Sequence, residues 1–202
     1  MMLFAWLAAL VAAPAQHDTI PKIVVEFSVE QRAVDKHSDT IFYNASAPLT
    51  WQDFTRKPPQ NAKNDAVSYT SFAYEGGTRQ RKDTVFVHLV LQVFFIKSAS
   101  WVTPPLLNDL YSLQHEQIHF DITYLTGLLF RNKVLSIDFS EDGDYDSIIQ
   151  YQYLEYFRLM NVLQESYDAE TRHGNNATKQ REWQQNINRA ITLGGVWPLP
   201  NE

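Results

Sequence analysis

Apolar and polar residues alternate through most of the chain between Gln16 and Trp101. Four runs carry the pattern: KIVVEFSVE, TIFYNAS, AVSYTSFAYE and TVFVHLVLQVFFI. They are rich in Val, Ile, Phe, Tyr and Thr, and clusters of Gly, Pro and Asn separate them, which predicts an antiparallel sheet. In the last run Val85, Val87, Leu89, Leu91, Val93 and Phe95 share one face, leaving Phe86, His88, Val90 and Gln92 on the other. His88 therefore reads as a strand residue on the less apolar face. The stretch GGTRQRKD, residues 76 to 83, reads as a solvated hairpin turn.

After SASWVTPP the period changes. Thr103 is placed to cap and Pro104 and Pro105 to open a helix. Its apolar residues Leu106, Leu107, Leu110, Leu113, Ile118, Ile122, Leu125 and Leu129 follow the 3.6-residue repeat. The acidic stretch DFSEDGDYDS, residues 138 to 147, lacks calcium-loop spacing and reads as a connection. A second helix is expected from about Ile148 to Thr171, closed by Gly174, and a third from about Lys179 to Leu193. The expectation is an α+β fold in one domain, residues 16–202, with a β-rich part over 16–101 and a helical part over 103–195.

Composition narrows the function classes. The chain has 202 residues and a formal net charge of -6, with no long Lys/Arg block, so neither a nucleic-acid groove nor an anionic membrane surface finds electrostatic support. The opening MMLFAWLAALVAAPA holds no charged side chain and ends in Ala13-Pro14-Ala15, a small-x-small site for signal peptidase. The apolar run is short for a bilayer span. The expectation is a cleavable signal peptide over residues 1–15 and a secreted or periplasmic mature chain without an integral span. No cysteine is present, so no disulfide framework supports the fold. Nothing in the sequence speaks to oligomeric state.

Residues 113 to 122 read LQHEQIHFDI and place HEQIH in the middle of the first expected helix. Residues four apart lie one turn apart on the same face, so His115 and His119 can aim imidazole nitrogens at one zinc ion. Glu116 is rotated by about 100° from His115, so it flanks the ion and can serve as general base to a coordinated water. Zinc brings the pKa of such a water to about 7, which suits attack on a carbonyl near neutral pH.

A catalytic zinc of this kind takes a third protein ligand and leaves one position to water. His17 abuts the cleavage point and His37 lies in a polar loop, so YDAETRHG, residues 167 to 174, is the richest source. His173 is the favoured ligand, because imidazole completes a three-histidine set and Gly174 lets the chain turn there; Asp168 and Glu170 are the alternatives. Asp121 is a candidate for orienting an imidazole, with a solvated surface carboxylate as the plain alternative. Tyr167 is a candidate oxyanion donor, with a core tyrosine as the plain alternative.

These residues resemble a bacterial family described as predicted secreted zinc-dependent proteases, long filed as a domain of unknown function. That family pairs a HEQ-x-HFD helix with an upstream W-x-DF, a serine-tryptophan before the helix, and a downstream YD-x-x-T-x-HG followed by Q-x-x-W. Trp51, Asp53 and Phe54, then Ser100 and Trp101, His115 to Asp121, Tyr167, Asp168, Thr171, His173 and Gly174, and Gln180 with Trp183 stand here in the same order. The resemblance covers most of the mature chain and departs at Ile118, where the family often has glycine. It implies a zincin-like metallopeptidase with peptide or protein substrates, with His115 and His119 as zinc ligands and Glu116 as base. Two other expectations stand beside it. One is an exported or envelope-associated binding protein with a structural or vestigial zinc; the other is a zinc amidase acting on cell-wall linkages.

Overall fold

The computed structural model describes residues 21–32, 35, 37–140 and 144–198. The expected signal peptide, its cleavage point and His17 lie outside the described residues. The fold is α+β: an N-terminal sheet is followed by three helices. The strands of the main sheet are β1 (Lys22–Val29), β2 (Thr40–Phe42), β4 (Thr70–Arg81) and β5 (Thr84–Ile96). A two-stranded ribbon pairs β3 (Ala66–Val67) with β6 (Trp101–Val102).

β5 organises the main sheet. One of its edges pairs with β4 in antiparallel register from Arg81↔Thr84 to Thr70↔Phe95. β1 runs parallel to its first part and β2 antiparallel to its last three residues. The sheet is thus mixed, where alternation alone suggested antiparallel pairing throughout. A parallel pair needs a long crossover, and the more than fifty residues between Val29 and Thr84 supply one. The alternation of β5 itself is as expected: Val87, Leu89, Leu91, Val93 and Phe95 are buried and His88 is exposed.

The hairpin between β4 and β5 turns later than its glycines suggested, at Lys82 and Asp83, with Lys82 at φ 53°. Gly76 and Gly77 are strand residues. A Cβ on Gly76 would sit 2.4 Å from the His88 carbonyl oxygen, so glycine is required here by the close approach of the neighbouring strand.

α1 (Leu110–Leu135) begins later than the sequence pattern placed it. Pro104–Leu106 form a 3-10 turn, Thr103 makes no side-chain cap, and Asp109 is the N-cap, accepting from the Tyr111 amide at 2.9 Å. Leu107 and Leu110 are consequently exposed. α2 (Tyr145–Thr171) is capped by Asp144 and α3 (Ala177–Thr192) by Asn176.

α1 lies between two cores. Phe120, Phe130 and Val134 join the apolar face of the sheet, while Ile118, Ile122, Leu125 and Leu129 pack with Leu163 and Tyr167 of α2 and Trp183, Ile187 and Ala190 of α3. A helix covered on both sides is apolar nearly all round, which explains the density of buried residues along it. At Gly127 the helix passes close to β5: an added Cβ would lie 3.1 Å from Val93 and 3.3 Å from Leu91. Among the described residues, no helix is long and apolar enough to cross a membrane.

Candidate metal centre

His115 and His119 lie one turn apart on α1, on the side that faces α2. Their rings are 4.9 Å apart and perpendicular. Asp168, in the last turn of α2, reaches between them: its Oδ1 is 3.2 Å from His115 Nε2 and 3.2 Å from His119 Nε2. The ligand atoms of these three residues all lie within 4.8 Å of one another, a group able to hold a metal ion. Tetrahedral ligands at about 2.0–2.1 Å from an ion such as zinc are separated by roughly 3.3 Å, close to the 3.2 Å between Asp168 Oδ1 and each imidazole nitrogen.

Ring orientation supports the same arrangement. The Gln164 side-chain amide donates from Nε2 to the His119 carbonyl at 2.9 Å and to Thr123 Oγ1 at 3.0 Å. Those two bonds leave its Oε1 to contact His119 Nδ1. An acceptor at Nδ1 selects the tautomer protonated there and leaves the Nε2 lone pair for a metal. Tyr167 stacks on His115 at 4.6 Å and meets His119 edge-on at 5.0 Å, which fixes both ring planes.

Glu116, rotated around the helix from the two histidines, meets the link between β3 and β4 and lines the same cleft as they do. It is buried, and its Oε2 accepts a 2.6 Å hydrogen bond from Ser68 Oγ in the link between β3 and β4. Ser68 carries no sequence signal of its own; only the tertiary fold brings it to α1. A buried carboxylate needs such a partner, and the serine supplies it without neutralising the charge.

The end of α2 decides what becomes of YDAETRHG. The helix continues through Thr171, whose Oγ1 bonds back to the Tyr167 carbonyl at 2.6 Å. Arg172, His173 and Gly174 then take φ of 53°, 50° and 83°. The left-handed turn carries His173 to the rim, where its side chain is 64% exposed and its Nδ1 is 3.5 Å from Asp168 Oδ1. His173, favoured from the sequence as third ligand, thus lies outside the three-residue group, and Asp168 holds that place in it. Glu170 is turned toward α3, where its Oε2 accepts from Trp183 Nε1 at 3.0 Å. Tyr111 closes the arrangement by donating from Oη to the Gly174 carbonyl at 2.7 Å.

Two further candidates take their plainer roles. Tyr167 is fully buried, with its Oη 3.5 Å from the His115 carbonyl, so it underlies the site as a core residue. Asp121 accepts from Tyr43 Oη at 3.1 Å and from Gln117 Nε2 at 2.8 Å, and among the described residues it bonds no imidazole. Gln117 in turn accepts from the Leu49 amide at 2.8 Å, and Trp51 Nε1 donates to the Asp109 carbonyl at 3.1 Å, so the TWQDF segment braces the start of α1. His88 and His37 are exposed and stand apart from the group.

Burial opposes ionisation of Asp168, yet the hydrogen bonds and charge of His115 and His119 hold its carboxyl well below the usual carboxylate range. Burial likewise works against a charged His119 ring, but the Asp168 hydrogen bond, the Glu116 and Asp168 charges and the Gln164 contact carry its pKa above the ordinary histidine value. The three residues face a cleft of about 640 Å³, which Ser68, Asp109, Asn161 and Gln164 also line. No protein-family model, curated protein or solved structure matches the chain.

Proposed function

We propose that the protein is an exported zinc metallopeptidase of the secreted zinc-dependent protease family that its motifs resemble. In this reading His115, His119 and Asp168 hold the metal and Glu116 is the general base. One observation carries the reading: Asp168 Oδ1 stands 3.2 Å from both imidazole Nε2 atoms on the wall of an open cleft that Glu116 also lines. Two histidines and one carboxylate are a donor set suited to zinc, and three protein ligands leave a position free for chemistry. Bound there, zinc supplies Lewis acidity toward a carbonyl oxygen and acidifies a coordinated water.

The residues of the chain supply the rest. Glu116, kept in place by Ser68, takes a proton at its carboxylate as a peptide carbonyl is attacked and returns it to the departing amine. The two-residue ribbon strand β3 and Ser68 line the cleft, so a substrate lies beside Ala66 and Val67. A closed shell of four protein ligands is the mark of a structural zinc, and an open cleft beside three ligands favours catalysis over that alternative.

The test is metal analysis of the full chain together with Glu116→Gln. About one zinc per chain is expected in both proteins, with peptide hydrolysis lost in the variant. Metal-free wild-type protein that takes up no zinc, or a variant that still cleaves, overturns the assignment. Screening peptide libraries beside cell-wall fragments separates a peptidase from an amidase using the same centre.

A further inference from the structure

The His119 ring has its Nδ1 partner in Gln164; the His115 ring has none. His115 Nδ1 is buried and makes no hydrogen bond. A metal at His115 Nε2 requires the proton on Nδ1, so the loaded site would contain a buried N–H donor without an acceptor. Such a group keeps the desolvation cost of burial with no bond to offset it.

A matching orphan lies on the same side. Gln180, in the first turn of α3, is 1% exposed, and its Oε1 is also buried without a partner. Its amide orientation is determined independently, because Nε2 donates to the Tyr111 carbonyl at 3.3 Å. That bond turns Oε1 away from Tyr111. Gly174 adjoins both orphans: a Cβ placed on it would be 3.6 Å from His115 Nδ1 and 3.6 Å from Gln180 Oε1. The absence of a side chain at Gly174 leaves the space beside ring and amide open.

We propose that Gln180 is the positioning residue for His115, its Oε1 accepting a hydrogen bond from His115 Nδ1–H and so holding Nε2 toward the metal. The inference rests on the metal reading above. It makes the two halves of the centre equivalent: one glutamine from α2 serves His119, and one from α3 serves His115. In both, a second bond from the amide nitrogen to a backbone carbonyl of α1 fixes which end of the amide meets the ring. α3 contributes no ligand, yet through Gln180 it reaches the metal centre.

The experiment compares wild type, Gln180→Leu and Gln180→Glu in the full chain, with zinc as the probe and a competing chelator to measure affinity. Leucine removes the acceptor and is expected to weaken zinc binding by about 10- to 100-fold, the usual effect of removing a group that orients a ligating histidine. Glutamate keeps an acceptor while also losing the donor to Tyr111, so its affinity is expected to stay within about threefold of wild type. The contrast between the variants isolates Oε1 from general packing. In ¹⁵N-histidine spectra, zinc-loaded wild type should show a solvent-protected His115 Nδ1 proton that Gln180→Leu lacks.

Equal losses in the two variants, or no loss in Gln180→Leu, overturn the proposal, as does the absence of the protected proton in zinc-loaded wild type. The wild-type spectrum decides the matter even if Gln180→Leu fails to fold. Wild-type protein that binds no zinc overturns the metal reading and this inference together, whereas normal zinc binding by Gln180→Leu overturns this inference alone.

Discussion

Replacing Asp168 with alanine separates the two candidates for third ligand, because His173→Ala removes the other at the same end of α2. The structure gives them unequal weight. Asp168 Oδ1 is 3.2 Å from both Nε2 atoms, whereas the His173 side chain is 64% exposed and contacts Asp168 at 3.5 Å. Structural zinc sites are worth about 10–16 kcal/mol with four ligands, so an even share is roughly 2.5–4 kcal/mol per ligand. The lower end applies here, since Asp168 Oδ1 already contacts both imidazoles at 3.2 Å and those contacts are given up when an ion enters. At about 1.4 kcal/mol per tenfold, Asp168→Ala should weaken zinc binding by at least about 50-fold. His173→Ala should change it by less than about tenfold, as expected for a group next to a ligand. Chelator competition followed by optical titration with cobalt measures both. Retained affinity in Asp168→Ala with loss in His173→Ala would refute the geometric argument and restore a three-histidine set.

Three other outcomes test the fold around the site. Ile118 is fully enclosed between α1, α2 and α3, so Ile118→Ala should cost about 2–5 kcal/mol in denaturant unfolding. Gly76→Ala places a Cβ 2.4 Å from the His88 carbonyl, and a loss of about 1–3 kcal/mol is expected in the same assay. The third outcome concerns metal-free protein. The raised pKa of His119 contributes stability below about pH 6.5 that is lost as pH rises through its folded value, and the lowered pKa of Asp168 contributes stability above about pH 4 that is lost as pH falls through its own. The melting-temperature gap between metal-free wild type and Asp168→Asn should therefore be widest between about pH 4 and 6.5 and narrow on either side; a gap that does not vary with pH would show that no such ion pair forms.

What the sequence disclosed depended on how local each cause is. The alternation in β5 and the 3.6-residue repeat in α1 are local, and both elements formed, β5 over its predicted run and α1 over all but the start of its own. Partner and direction are not local: nothing in KIVVEFSV states that β1 lies parallel to β5. Gly76 and Gly77 resemble a turn because the reason for the first glycine, the His88 carbonyl on the neighbouring strand, is twelve residues away. Thr103 and the prolines do open a helical turn, but a 3-10 one, and α1 starts only where Asp109 provides a cap.

The site shows the same division. HEQIH fixed two donor atoms and the direction of Glu116, since all three depend on the geometry of a single helix. The choice between Asp168 and His173 depended on where α2 ends. Helical geometry persists to Thr171, so Asp168 keeps the direction of its turn and faces α1, while the left-handed residues after it swing His173 outward. Gln164 was accessible in principle: it stands four residues before Asp168 on α2 and therefore on the same face. Ser68 and the environment of Gln180 were not, because each meets α1 from an element distant in sequence.

That dispersal has an energetic consequence. α1 brings both imidazoles and Glu116, α2 brings the carboxylate that joins the imidazoles, and the β3–β4 link holds Glu116 in place. An unfolded chain holds His115 and His119 near each other but has Asp168 some fifty residues away, so it offers a metal only two ligands at close spacing. An ion that prefers the folded chain stabilises it in proportion to the logarithm of its free concentration over Kd. A metal held by His115, His119 and Asp168 would make its binding and the docking of α2 on α1 one equilibrium. Substitutions in the second core, around Ile118 and Leu163, would then act on metal affinity through that docking while touching none of the three residues.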